Sequence, residues 1–168
     1  MAGSVRRRRA RAGALAGSGS ATVNPQPLLL WSRLIQAAAA VMLALSALLL
    51  LAPAAGESIF YLVYFLRPAS PVPVPSEVQG YVRFANGIIG AVIVGWMLAV
   101  VALARGPFLA GQRHAWNAIA WPLAGWYLVD TAFSVAHGVW GNVLLNTATA
   151  LMFGIPLLAS RRHFGARA

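Results

Sequence analysis

The stretch LLLWSRLIQAAAAVMLALSALLLL, residues 28–51, decides the fold class of this chain. An α-helix rises about 1.5 Å per residue, so about 20 apolar residues are needed to cross roughly 30 Å of hydrocarbon. The stretch exceeds that length, and its one charged residue, Arg33, lies close to its start. It therefore predicts a helix that spans a membrane.

Three further apolar segments, at residues 81–104, 114–136 and 142–160, have similar lengths. Together with the first segment they predict an all-α fold, a membrane-embedded four-helix bundle over residues 28–162. The composition agrees, because 60% of the 168 residues are hydrophobic and only 10% are charged. Soluble domains carry about a quarter charged residues.

A long extracytoplasmic loop, residues 53–80, is predicted between the first two helices. Within it, IFYLVYFL (59–66) is too short to span, and its aromatic residues fit either a strand or a short interfacial helix. PASPVPVP (68–75) predicts an extended strap, because proline fixes φ and lacks a backbone donor. Glu57 and Glu77 are expected to be solvated in this loop.

The placement of arginine predicts the orientation. The chain has 13 basic residues, all arginine, and three acidic residues, which gives a net charge of +10. The arginines concentrate in a tail at 1–27, expected to be disordered, in the connection 105–113, and at the C-terminus, where 163–168 is a short tail. Since positive loops stay inside, both termini are expected in the cytoplasm, in a bacterial cytoplasmic membrane.

The same placement argues against nucleic-acid binding, because the arginines lie at the ends of apolar segments and leave no folded basic surface. The chain has no cysteine, which excludes disulfides and thiolate metal sites. No catalytic residue set, phosphate-binding loop or cofactor motif is present. Asp130 and His137 lie two turns apart, about 10 Å, so no metal site is expected from them.

Polar residues on the last three segments share faces near the outer end, and they form the predicted polar cluster. Its members are Arg83, Asn86, Tyr127, Asp130, Ser134, His137, Asn142 and Asn146. An ionised aspartate facing lipid costs about 2.5–3.5 kcal/mol, so Asp130 should face the bundle. We predict an Arg83–Asp130 ion pair, supported by the two asparagines Asn86 and Asn146. The cluster could fix helix register, bind a small polar ligand or lipid headgroup, or form an ion or proton path.

Small residues on the second segment, Gly87, Ala91 and Gly95, recur at four-residue spacing. Such a stripe lets another helix approach closely. The partner could be a helix of the same bundle or, in a homo-oligomer, a second copy of the chain.

Two motifs carry a resemblance to a family. They are F-x-x-G-x-x-G-x-x-x-x-G-W (84–96) and W-Y-x-x-D-T-x-x-S (126–134), the latter followed by N-x-x-x-N (142–146) and I-P-L (155–157). Over residues 30–162 the chain resembles a group of small, uncharacterised bacterial four-helix membrane proteins. The resemblance implies four spans and supplies no substrate or cofactor. The expected function is a non-enzymatic structural or interaction component, or alternatively a binder or carrier of a small lipid-like molecule.

Overall fold

The computed structural model of the protein describes residues 26–67 and 73–164. These residues form helices and contain no strand. The helices are α1 (Gln26–Leu51), α2 (Pro53–Phe65), α3 (Ser76–Arg105), α4 (Arg113–Ala136), α5 (Trp140–Ser160) and a final 3-10 turn (Arg161–Phe164). The predicted all-α fold is confirmed.

Three helical segments in the described part of the chain are long and apolar enough to cross a membrane. They are Leu28–Leu51, Ser76–Arg105 and Trp140–Phe164. These segments indicate a membrane protein. The helix α4 has the length, at 24 residues, but not the average hydropathy of the other three, so a fourth span stays a prediction.

The main difference from the sequence prediction lies between α1 and α3, where a 13-residue helix, α2, replaces the first part of the predicted loop and α3 begins within its last part, at Ser76. Of the two alternatives for residues 59–66, the helix is the one observed, and it begins further upstream at Pro53. Proline suits the first turn of a helix because its missing N–H would have no helical partner there. The helix ends where Leu66 adopts a left-handed conformation, with φ at 55°.

Two other predicted segments fall largely outside the described residues. The tail 1–27 does so up to residue 25, and of the proline strap only residues 73–75 are described, as non-helical backbone. The sequence analysis predicts a tail from residue 163 onward, but the structure packs residue 164 into the core. Phe164 is buried, and its ring lies 4.8 Å from that of Phe108.

We call the end of the bundle where α1 and α4 begin and α3 and α5 finish the basic end. The opposite end, which includes α2 and all three acidic residues, is the acidic end. At the basic end a polar chain joins α1 to α3. Ser32 Oγ donates to the carbonyl of Ala104 (2.7 Å), Gln36 Nε2 donates to Ser32 Oγ (3.0 Å), and Arg105 Nε donates to Gln36 Oε1 (2.9 Å). These bonds fix the register of the two helices.

The helix α1 lies at the centre of the bundle, where it packs along α3 and α5, while α4 packs mainly against α5. The core is apolar and continuous. Its largest members are almost fully buried and come from α1, α3, α4, α5 and the connection between α3 and α4; they include Ile35, Met97, Phe108, Ile119 and Phe153. The van der Waals contacts among these buried side chains are the main interaction that holds the helices together.

The two glycines of the small-residue stripe pack against no other helix in the part of the chain that the structure describes, so the intramolecular alternative is not observed there. A Cβ added at Gly87 or Gly95 would meet no atom within 4 Å among the described residues, whereas one at Gly90 would lie 3.2 Å from the Ser46 carbonyl oxygen on α1. The buried face of α3 contains Gly90, and the stripe lies on another face. The homo-oligomer alternative stays a prediction.

At the acidic end, α2 packs on α5 by direct backbone contact. A Cβ on Gly141 would overlap the carbonyl oxygen of Val63 and lie 2.6 Å from that of Tyr64. Only glycine allows this approach, because both carbonyls belong to the backbone of α2 and neither can rotate away. Gly56 makes a second close contact, with Leu49 of α1.

We expect Gly141→Ala to lower the free energy of unfolding by about 1–3 kcal/mol, as overpacking usually does. The measurement is thermal unfolding in detergent, followed by circular dichroism. Gly125→Ala is the matched control, because a Cβ at Gly125 in α4 would meet nothing within 4 Å. Equal stability of the two variants would contradict the close packing of α2 on α5.

Candidate binding cavity

Arg83 does not pair with Asp130, so that prediction is wrong. Its Nε donates to Glu57 Oε2 at 2.7 Å, and this is the only salt bridge in residues 26–67 and 73–164. Glu57 was expected to be solvated in a loop, but α2 carries it to the side of α3, where its side chain is 24% exposed. The pair therefore ties α2 to α3, and Asp130 forms no salt bridge with an arginine among the described residues.

Asp130 instead lies in a small network of neutral groups between α4 and α5. Asn142 Nδ2 donates to Asp130 Oδ1 (3.1 Å) and to Ser134 Oγ (2.7 Å). The Ser134 hydroxyl in turn donates to the backbone carbonyl of Asp130 at 2.8 Å. Amide and hydroxyl donors stabilise a carboxylate through hydrogen bonds but do not neutralise its charge.

A cavity of about 310 Å³ lies beside this network, where all five helices meet. Most of its wall is apolar, contributed by α1, α3 and α5. Its aromatic lining comes from three helices: Phe60 and Tyr64 of α2, Trp96 of α3 and Trp126 of α4. The two indole rings lie edge to face with their centroids 6.0 Å apart, so they form one continuous aromatic surface.

The polar part of the cavity wall is formed chiefly by Asp130, Asn142 and Asn146. Asn146 is 2% exposed, and its Nδ2 donates to Thr131 Oγ1 at 3.4 Å. The cavity thus has one charged group, flanked by two amides, on a wall that is otherwise apolar and aromatic. This distribution is typical of small-molecule sites, in which a few polar groups fix the orientation of an apolar ligand.

The carboxylate of Asp130 also affects the pKa of Tyr64. Burial and, to a smaller degree, the nearby negative charge of Asp130 raise the pKa of the Tyr64 phenol to about 12. Both causes disfavour the phenolate, because it would be poorly solvated and close to a like charge. The phenol of Tyr64 therefore stays protonated, and remains a hydrogen-bond donor, to a higher pH than the phenol of an ordinary tyrosine.

The predicted polar cluster separates into two groups in the structure. Asp130, Ser134, Asn142 and Asn146 lie together at the interface of α4 and α5. The remaining four, Arg83, Asn86, Tyr127 and His137, lie elsewhere.

The positions of three of these four explain why they separate. The Tyr127 hydroxyl lies 3.4 Å from Thr147 Oγ1 and borders a different groove. His137 is exposed beyond the end of α4, where its Nδ1 lies 2.8 Å from the Phe133 carbonyl oxygen. Asn86 is half-buried on α3. Neighbours three or four residues apart on a helix share a side but diverge enough to face different partners.

Sequence reasoning missed the aromatic wall. The signal for part of it was present in residues 59–66, whose rings were assigned to the membrane surface rather than to a ligand site. Trp96 and Trp126 lie far apart in sequence, and nothing in their local spacing indicates that they meet.

No group of three or more histidine and acidic side chains that could hold a metal ion occurs in the described part of the chain. In comparisons with known proteins, no protein family, curated protein or solved structure matches this chain. The resemblance to small bacterial four-helix proteins therefore stays a prediction, and the geometry of the cavity carries the functional argument.

A double-mutant cycle distinguishes the observed ion pair from the predicted one. We expect Glu57→Gln and Arg83→Gln to couple by about 0.2–1 kcal/mol, the range for partly exposed pairs. Arg83→Gln and Asp130→Asn should be additive, because these side chains do not form an ion pair. The measurement is the free energy of unfolding of each single and double variant. Stronger coupling to Asp130 than to Glu57 would contradict the observed pairing.

The raised pKa of Tyr64 is expected to appear in the titration of tyrosinate absorbance. Wild type and Tyr64→Phe should absorb alike near pH 10 and differ only as pH approaches about 12. In the unfolded chain the phenol of Tyr64 ionises near pH 10. Its contribution to the free energy of unfolding is therefore complete below pH 10 and is lost between pH 10 and about 12. Asp130→Asn should lower the pKa of Tyr64 only partly, because burial is the larger cause. A full extra tyrosine ionising near pH 10 in the wild type would contradict this assignment.

Proposed function

We propose that the protein binds or carries a small lipid-like molecule whose head is a protonated amine. The observation that carries this proposal is the position of Asp130. Its carboxylate lines an aromatic cavity, and no salt bridge neutralises it in the described part of the chain. An intramembrane ionisable residue of this kind is typical of functional sites.

The charge of the cavity favours a cation over a neutral head. An ionised carboxylate is costly in an apolar environment unless a charge compensates it. A protonated amine would supply that charge and could donate to the oxygen atoms of Asp130. The aromatic faces of Trp96 and Trp126 would add to the attraction, because the face of an aromatic ring carries negative electrostatic potential.

The size and position of the cavity favour an amphiphile. Small-molecule sites usually measure about 300–1,000 Å³, so this cavity is large enough for a head and the first part of a chain. Part of its lining is exposed at the surface of the bundle, including Val92, which is 66% exposed. The rest of an apolar chain could pass this residue into the bilayer.

The site would lie in the outer leaflet if both termini are cytoplasmic, as we propose for a bacterial cytoplasmic membrane. That orientation requires α4 to be a fourth span. The exposed surface of α4 supports this, because it presents Leu128, Val129 and Phe133, each more than 60% exposed. The polar residues that lower the average hydropathy of α4 include Ser134 and Asp130, which face α5 and the cavity.

A structural or interaction role is the second candidate. It is favoured by the stripe of Gly87, Ala91 and Gly95, whose two glycines contact no other helix among the described residues, so the stripe could meet a second copy. A dimer that persists in wild type and is lost in Gly95→Leu would support this role.

The test of the leading proposal is native mass spectrometry of the detergent-solubilised protein with dodecylamine, dodecanol or dodecanoate added. We expect the amine to be retained best, and Asp130→Asn to weaken its binding at least tenfold, because a hydrogen bond to a charged group contributes about 1.5–3 kcal/mol. Val92→Trp should also weaken binding by obstructing the cavity. Leu98→Trp is the control, since Leu98 is similarly exposed on α3 but lies outside the cavity lining.

Two results would contradict the proposal. One is equal binding of the amine by wild type and Asp130→Asn, which would remove the role of the carboxylate. The other is equal binding by the Val92→Trp and Leu98→Trp variants, which would place the amphiphile outside the cavity.

A further inference from the structure

A second candidate site lies at the basic end, more than half the length of the bundle away from Asp130. It is a basin of about 610 Å³ lined by three arginines, Arg113, Arg161 and Arg162, together with Asn117. All three arginines are exposed. The basin is formed by two parts of the fold, the start of α4 and the 3-10 turn that follows α5.

Contacts with the core anchor the turn that carries Arg161 and Arg162. Phe164 closes the turn and is only 3% exposed, with its ring packed 4.8 Å from that of Phe108. Just before the turn, the Ser160 hydroxyl donates to the Leu157 carbonyl at 2.9 Å. With both sides of the turn fixed, the backbone of Arg161 and Arg162 stays beside α4, so all three arginines line the same basin.

No acidic side chain of this chain can neutralise the basin. The whole sequence has three acidic residues, Glu57, Glu77 and Asp130. Glu57 and Glu77 lie at the acidic end, where Glu57 pairs with Arg83. Asp130 lies 17 residues along α4 from Arg113, roughly 25 Å at the helical rise. No acidic side chain therefore lies near the basin to balance its charge.

An apolar groove of about 270 Å³ continues from the basin along the interface of α4 and α5. Two tryptophans, Trp116 and Trp121, line both the basin and the groove. The indole of Trp116 is held by a hydrogen bond from Nε1 to the Leu157 carbonyl oxygen, at 2.8 Å. Beyond the tryptophans the lining of the groove includes the small residues Ala124 and Gly154, which leave room for a chain.

We propose that this combined surface binds an anionic phospholipid, with the phosphate in the arginine basin and one acyl chain in the groove. Guanidinium groups bind phosphate oxygens through paired hydrogen bonds, and basic pockets between membrane helices suit anionic headgroups. A free phosphate would use only the basin. The adjoining apolar groove is the reason for assigning a lipid, and three arginines with no acidic side chain near them are the reason for assigning a net negative one.

This inference does not rest on the proposed function, because the two sites share no residue. It is tested by native mass spectrometry of the full chain, titrated separately with phosphatidylglycerol, with phosphatidylcholine of the same acyl chains, and with inorganic phosphate. We expect phosphatidylglycerol to bind best.

The double variant Arg161→Gln and Arg162→Gln should weaken the binding of phosphatidylglycerol about 25-fold, at about fivefold for each arginine. Arg33→Gln is the control, an exposed arginine near the start of α1 that does not line the basin.

The groove is tested with Gly154→Leu, with Gly154→Ala as a milder variant, since a Cβ at this position meets nothing within 4 Å. Each should retain the thermal stability of wild type. Gly154→Leu should weaken phosphatidylglycerol binding about tenfold and leave the binding of inorganic phosphate unchanged. Undiminished lipid binding in Gly154→Leu would overturn the lipid assignment and leave a phosphate site alone. Equal binding of the two phospholipids, or equal loss in Arg33→Gln, would overturn the site itself.

Discussion

The contact between α2 and α5 at Gly141 is the constraint on which the acidic end depends. Without a side chain at this position, the backbone of α2 reaches α5 closely enough for Phe60 and Tyr64 to complete the cavity wall. The same docking brings Glu57 to Arg83, which therefore does not pair with Asp130. The shape of the cavity and its uncompensated charge both follow from the packing of one short helix.

The sequence predicts the long helices well because their apolar lengths are set by a simple requirement. A segment such as 28–51 has too few polar groups to be stable in water and the right length for a bilayer. The helix α2 was not predicted as a packed element, because its 13 residues fit several environments and only contact with α5 selects one. Short segments depend on tertiary packing more than on their own pattern.

The candidate site could be predicted only in part, because it also depends on contacts between helices. Helical spacing correctly indicates that Asp130 and Ser134 share a side, and the structure adds the partner Asn142. The spacing says nothing about which charged residue on another helix will be nearest. The sequence analysis paired Arg83 with Asp130 and left Glu57 solvated, whereas the observed pairing with Glu57 depends on the packing of α2. The aromatic wall was missed for the same reason, since it joins residues from three helices.

The separation of charge along the bundle has a consequence for the protein in an energised membrane. Five arginines, Arg33, Arg105, Arg113, Arg161 and Arg162, lie at the basic end, while the described residues of the acidic end carry three carboxylates and two arginines. Moving one elementary charge through a transmembrane voltage costs about 2.3 kcal/mol per 100 mV. Inverting the protein across a membrane that is negative inside would move this net charge against the field. In such a membrane the voltage would therefore favour an insertion that keeps the basic end on the negative side.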